Sequence, residues 1–118
     1  MREFQRIDRL GTELRRELAE VLRDTVRDPR LGMVTIQEVR VTRDLAHAKV
    51  FFTCMGSDAT ATARLFNRTL SGFLRHELAR RVRVRSMPEL HFVYDESVER
   101  GARLMDLIQQ AVAEENEE

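Results

Sequence analysis

Between residues 64 and 85 the chain carries seven arginines, Arg64, Arg68, Arg75, Arg80, Arg81, Arg83 and Arg85, against one acid, Glu77. Planar guanidinium groups hold phosphate oxygens bidentately, so a one-sided run of this kind can contact the backbone of a nucleic acid. The same run could also be a plain solvated helix face. Two features favour binding. The first helix mixes acids and bases evenly, which satisfies solubility equally well. The basic segment also contains Ser71 and Gly72, which interrupt what otherwise reads as one long helix. Arg64, Arg68, Arg75, Arg80 and Arg81 are the expected phosphate contacts, with Gly72 as hinge and Ser71 beside it. Arg83, Arg85, Arg43 and Lys49 are further candidates.

Other chemistry finds little support. His47, His76 and His91 are scattered over a predicted strand, a helix and a strand, and "HELAR" lacks the second histidine of the zinc-protease pattern, so no metal site is expected. Cys54 shares a strand face with Val50 and Phe52 and reads as a buried structural thiol. Asp95 and Glu96 are adjacent and point opposite ways at a strand end, so no catalytic carboxylate pair is expected. There is no glycine-rich phosphate loop. No enzyme activity, cofactor or small-molecule substrate is implied. Phe51 and His91 could offer aromatic surface for stacking, although sheet packing is the simpler use of Phe51.

The elements that must position the arginines follow from periodicity. From 4 to 27, Ile7, Leu10, Leu14, Leu18, Val21, Leu22 and Val26 fall at three- and four-residue spacing, the apolar face of a helix that Asp28-Pro29 ends. Val34 and Ile36 alternate in one phase and Val39 and Val41 in the other, which predicts a strand over 33–42 with a bulge. Arg43, Asp44 and Leu45 turn the chain into a second strand, with Ala46, Ala48, Val50, Phe52 and Cys54 on one face. Gly56-Ser57-Asp58 is turn and cap chemistry before a helix starting near Ala59. Pro88 forces extension, and Leu90, Phe92 and Tyr94 alternate as a third strand. Ser97 is expected to cap a last helix with Val98, Ala102, Met105, Ile108 and Val112 buried. Met33, Met55, Met87 and Met105 read as core or core-edge residues.

Helical phase makes the interruption specific. At about 100° per residue, Arg68, Ser71 and Arg75 lie within about 40° of Arg64, while Ala59, Ala63, Phe66, Leu70 and Phe73 gather near 180° to 260°. A straight helix would drive Glu77 into that apolar stripe and swing Leu78 and Val82 toward the arginines. An unpaired buried carboxylate costs several kcal/mol. A kink at Ser71-Gly72 is therefore predicted, giving two helices whose junction exposes a helix N-terminus suited to phosphate.

At 118 residues there is room for one domain, read as 1–113 with an acidic, frayed tail over 114–118. The formal net charge is zero, but the tail holds four of the twenty acids, which leaves a body of about +4. One cysteine allows no internal disulfide, and the short apolar runs give neither a signal peptide nor a membrane span, so a cytoplasmic protein is expected.

Three segments, "DPRLGMVTI" at 28–36, "VTRDLAHAKVF" at 41–51 and "RVRSMPELHFVYDESVERG" at 83–101, resemble successive blocks of the ribosome-binding factor A family, collinearly from about residue 3 to 113. The resemblance implies an α+β, type II KH-like domain with a three-stranded sheet and helices packed on one face, in the order helix, strand, strand, helix, helix, strand, helix. It implies a family kink of the form Ala-x-Gly in place of the Gly-x-x-Gly loop of other KH domains. Leu70, Ser71 and Gly72 occupy those positions, so leucine stands where the family has alanine. It further implies a monomeric, non-enzymatic cytoplasmic factor that binds the free small ribosomal subunit and its ribosomal RNA. Such a factor assists late maturation and processing of that RNA and is associated with growth in the cold. The readings that compete with it are a general RNA-binding KH module and a protein-interaction module with an acidic partner.

Overall fold

The computed structural model describes residues 2–117 and the side chains of all of these except residues 2, 3, 98 and 117. Helix α1 (Arg2–Asp24) leads into β1 (Met33–Val41) and β2 (His47–Met55). A continuous helical stretch follows, made of α2 (Ala59–Leu65), a π-helical turn (Phe66–Leu70) and α3 (Ser71–Arg81). Strand β3 (Glu89–Tyr94) and helix α4 (Ser97–Glu117) complete the chain. The sheet order is β1-β2-β3, with β1 antiparallel and β3 parallel to β2. This is the expected α+β order.

The core lies between one face of the sheet and three helical segments. Leu14, Leu18 and Val21 of α1 are fully buried against Val39 and Val50 of the sheet and Leu74 and Leu78 of α3. Each such side chain contributes roughly 1.5–3 kcal/mol of burial. Helix α1 can lie close to β1 because Gly11 has no side chain. A Cβ there would meet the Val39 carbonyl oxygen at 2.5 Å. The predicted change of parity in β1 is present: the register shifts between Ile36 and Glu38, leaving Gln37 as the bulged residue. Its amide donates to Thr53 Oγ1 at 3.1 Å. The bulge returns Val39 and Val41 to the core face after Ile36.

Several expectations are corrected. Helix α4 does not pack its apolar face. Leu104, Met105, Leu107, Ile108 and Val112 are all about half exposed, between 48% and 62%. The core side of the sheet is already covered by α1, α2 and α3, and among the described residues no element packs extensively against α4. The burial expected of Val98 lies outside the described residues. Ser97 begins α4 but does not cap it; the Asp95 carboxylate accepts the Ser97 N–H at 2.9 Å. Helical backbone continues into the acidic segment as far as Glu117, where the sequence predicts fraying from residue 114. Of the methionines assigned to the core, Met87 is buried, while Met33, Met55 and Met105 are exposed. Cys54 is half-buried, with Sγ 3.6 Å from the Ser57 carbonyl.

Candidate nucleic-acid interface

The helical stretch from 59 to 81 carries most of the candidate arginines, and its buried residues explain its shape. Phe66, Leu70, Leu74, Leu78 and Val82 all pack toward the core at a stride of four. A stride of four gains about 40° per step in a regular helix, so the apolar stripe would wind off the core within a few steps. One π-turn holds an extra residue and sets the following chain back by about one residue, or roughly 100°. With that setback, Leu74, Leu78 and Val82 return to the 180–260° stripe occupied by Phe66 and Leu70.

The predicted interruption therefore exists, but it lies at Phe66–Leu70 and not at Ser71-Gly72. Leu70 is its last residue, with φ −97° and ψ −17°. Gly72 is an ordinary residue of α3, and a Cβ there would meet nothing within 4 Å. The hinge role expected of Gly72 is not what bends the phase. Helical backbone is continuous across the junction, so the exposed second N-terminus expected to hold phosphate is absent. Ser71 donates its hydroxyl to the Asn67 carbonyl at 3.2 Å. Phe73, expected in the core, is rotated out and is 43% exposed. Glu77 moves to the rim of the core: only 14% of its side chain is exposed, and it pairs with Arg80 at 3.3 Å.

The π-turn is fixed to the sheet by Asn67. Its Nδ2 donates to the Phe92 carbonyl at 2.9 Å, and its Oδ1 accepts the Phe92 N–H at 2.7 Å. These bonds occupy the outer edge of β3 as a further strand would. Phe66 stacks on Phe92 with ring centroids 4.4 Å apart and meets Phe52 edge-on at 5.3 Å. The turn is thus held by an amide clamp and an aromatic cluster.

The basic residues do not form one patch. Arg64 and Arg68 line a cleft of about 390 Å³ with Arg30, Asp58, Thr62 and Thr69. Arg30 comes from the Asp-Pro-Arg-Leu-Gly segment after α1 and is held by Asp28, with Nε 3.0 Å from Oδ1 and Nη2 2.7 Å from Oδ2. This pairing keeps the Asp28 carboxyl below its ordinary range, chiefly through the side-chain bond from Arg30. Among the described residues Arg64, Arg68, Arg83 and Arg85 have no ion-pair partner. Arg75 has turned away from Arg64 and Arg68 by the same setback. Its Nε and Nη2 donate to the Met87 carbonyl at 3.2 and 2.7 Å, bracing the segment that leads into β3. Arg81 reaches Glu17 and Glu20 of α1, each at 3.5 Å.

Arg83 and Arg85 lie beyond the far end of α3, about 16 Å of helix from the π-turn. Arg43 stands over the Phe4 ring at 5.6 Å. Lys49 is on the sheet face opposite the helices, with Nζ 5.7 Å from the centre of Phe51. The residue that sequence reasoning misses is Arg30. Its Asp-Pro-Arg-Leu-Gly block carries the family resemblance, but its local chemistry signals only a turn.

A three-stranded mixed sheet with two consecutive helices between its parallel strands defines a KH-like domain, and Arg30, Arg64 and Arg68 give it a basic cleft beside the first of those helices. The model of the family described as "Ribosome-binding factor A" matches residues 6–108. Proteins of that name from Thioalkalivibrio sulfidiphilus and Pseudomonas fluorescens (strain Pf0-1) are 53% and 50% identical. Those matches cover 97% and 98% of this chain and 89% and 90% of theirs. The crystal structure of ribosome-binding factor A from Thermus thermophilus is similar with a TM-score of 0.69 and 32% identity, over 75% of this chain and 93% of that one. A homology model of the T. thermophilus factor, fitted into an electron cryo-microscopy map of its complex with the 30S subunit, gives 0.62 and 31%, over 73% and 91%. The chain belongs to the ribosome-binding factor A family.

Proposed function

We propose that this protein is a non-enzymatic assembly factor that binds the free small ribosomal subunit and assists late maturation of its ribosomal RNA. It acts as a cytoplasmic monomer. The observation that carries the site assignment is the cleft where Arg64 and Arg68, free of ion pairs among the described residues, converge with Arg30. Their role is to hold RNA backbone phosphates, which fixes orientation without reading sequence. Arg83 and Arg85 form a second contact beyond α3. Arg75, Arg80 and Arg81 serve the fold first, through Met87, Glu77 and the α1 acids.

The test replaces Arg64 and Arg68 with Glu and follows sedimentation with small subunits. The double variant should keep the wild-type melting temperature and lose co-migration with free subunits. Replacing both with Gln should weaken binding and flatten the slope of log K against log salt by about 1.4, at roughly 0.7 per lost phosphate contact. A Glu double variant that co-migrates normally would remove the cleft from the interface. Even distribution of the wild-type protein over all cellular RNA would point to general RNA binding.

A further inference from the structure

The sheet face turned away from the helices carries a second cluster of chemical groups, unrelated to the arginine cleft. His47 opens β2, and Glu89 and His91 lie at the start of the neighbouring parallel strand β3. Glu89 pairs directly with His47 in the register, and His91 pairs with Lys49, so the two histidines sit diagonally across the strand pair. Residues on one strand face separated by two positions point the same way, so all three side chains project to solvent together. Forty-four residues separate the histidines in sequence, and the parallel pairing brings His47 Nδ1 to 2.9 Å from His91 Nε2. The Glu89 Oε2 atom is 3.6 Å from the same Nδ1, and one ligand atom from each of the three residues lies within 4.8 Å of the others.

We propose that His47, Glu89 and His91 form a binding site for a divalent transition-metal ion of the zinc class. Two imidazoles and one carboxylate are a donor set that zinc uses with a further position left open. At metal–ligand distances of about 2.0–2.1 Å and tetrahedral angles, donor atoms stand about 3.3–3.4 Å apart. The two separations of 2.9 and 3.6 Å bracket that value, and the Glu89 and His91 ligand atoms lie within 4.8 Å of each other, so side-chain rotation alone, with no backbone change, would bring the cluster to a ligand set. The two ring nitrogens face each other with room for one shared proton, and a cation replaces that proton by accepting both lone pairs.

The backbone under the site is held independently. Thr42 accepts the His47 N–H on its Oγ1 at 3.1 Å, and the Glu89 N–H donates to the Ala46 carbonyl at 2.9 Å. Lys49, paired with His91 across the strands, leans over Phe51, while Asp44 in the adjoining turn lies near enough to His47 for the two to interact. The bound ion would tie the first residues of β2 and β3 together. The open position would face solvent.

The experiment is calorimetric titration of the untagged full chain with zinc at neutral pH, beside His47→Ala, His91→Ala, Glu89→Gln and Cys54→Ser. One equivalent of saturable binding is expected. It should be weakened at least tenfold in either histidine variant, weakened less in Glu89→Gln and unchanged in Cys54→Ser. Excess magnesium should not compete, because it favours oxygen ligands. The three ligand side chains are exposed, so the His47, Glu89 and His91 variants should melt with the wild type when metal is removed. Zinc should raise the wild-type melting temperature and leave that of His91→Ala in place. Absence of saturable binding, or retention of wild-type affinity by both histidine variants, overturns the site. Equal competition by magnesium overturns the metal class. Zinc-induced shifts in the nuclear magnetic resonance spectrum confined to His76 or Cys54 would place the ion elsewhere and equally overturn the proposal.

Discussion

Replacing Asn67 with Ala tests whether the amide clamp holds the π-turn to the sheet. The substitution removes two hydrogen bonds, from Nδ2 to the Phe92 carbonyl and from the Phe92 N–H to Oδ1. Phe92 is 3% exposed and its ring is stacked under Phe66, so its edge groups are poorly placed to recruit water. Each intramolecular bond is worth about 0.5–1.5 kcal/mol net, and a backbone donor left unsatisfied costs about 1–3 kcal/mol. The expected loss is about 2–3 kcal/mol, or on the order of 10 °C in melting temperature for a domain of this size. Urea denaturation followed by circular dichroism gives the free energy, provided the slope with denaturant is unchanged. Asn67→Asp should recover little of the loss, because it keeps an acceptor for the Phe92 N–H but sets a second carboxylate oxygen against the Phe92 carbonyl where the amide donated. A loss below about 0.5 kcal/mol for Asn67→Ala, the range of neutral surface substitutions, would refute the clamp.

Three further outcomes follow from other parts of the structure. Tyr94 donates to Glu99 Oε1 at 2.7 Å, and this bond pushes its pKa from 10.0 up to about 12. The protonated phenol is the form the fold prefers. The contact therefore supports the structure fully below pH 10 and loses that support as pH rises through about 12. As the only tyrosine, with no tryptophan, Tyr94 reports by ultraviolet titration, and Glu99→Gln should return its midpoint toward 10. Gly11→Ala should destabilise the protein by about 1–3 kcal/mol in urea denaturation, because its Cβ would press on the Val39 carbonyl and lift α1 from β1. A wild-type midpoint would show that α1 shifts without cost. Ending the chain after Ala102 should leave stability within about 0.5 kcal/mol, since the described residues removed are exposed along α4; a loss above about 1 kcal/mol in urea denaturation would show that α4 packs on the domain.

Much of the fold is legible in the sequence because its signals are local. The parity change across Ile36 and Val39 announces a bulge, and Asp58, Pro29 and Pro88 mark where elements begin or stop. Helix α4 misleads because an amphipathic pattern reports a face that could be buried, not whether a partner surface is available. With α1, α2 and α3 covering the sheet, Met105 and Ile108 stay about half exposed. The histidine cluster is invisible for a different reason: His47 and His91 are joined only by parallel pairing of β2 with β3, a non-local contact that spacing along the chain does not encode.

The arginine segment shows how one phase change decides several assignments together. A straight helix would place Arg75 beside Arg64 and Arg68, because eleven residues bring a regular helix round to about 20° from its start. A setback of about one residue, or roughly 100°, at the π-turn carries Arg75 to the flank that faces Met87, and the same rotation takes Glu77 off the apolar stripe. It also turns Arg81 toward α1, where Glu17 and Glu20 receive it. Arg64 and Arg68 escape this rotation, since Arg64 precedes the turn and Arg68 lies within it. They are the arginines that remain with Arg30 at the cleft. The charge run and the helix break are therefore linked, though not as a hinge that presents every arginine to one ligand. The break sorts them, committing Arg75, Arg80 and Arg81 to the fold and leaving the pair before and within it at the cleft proposed above to hold RNA phosphates.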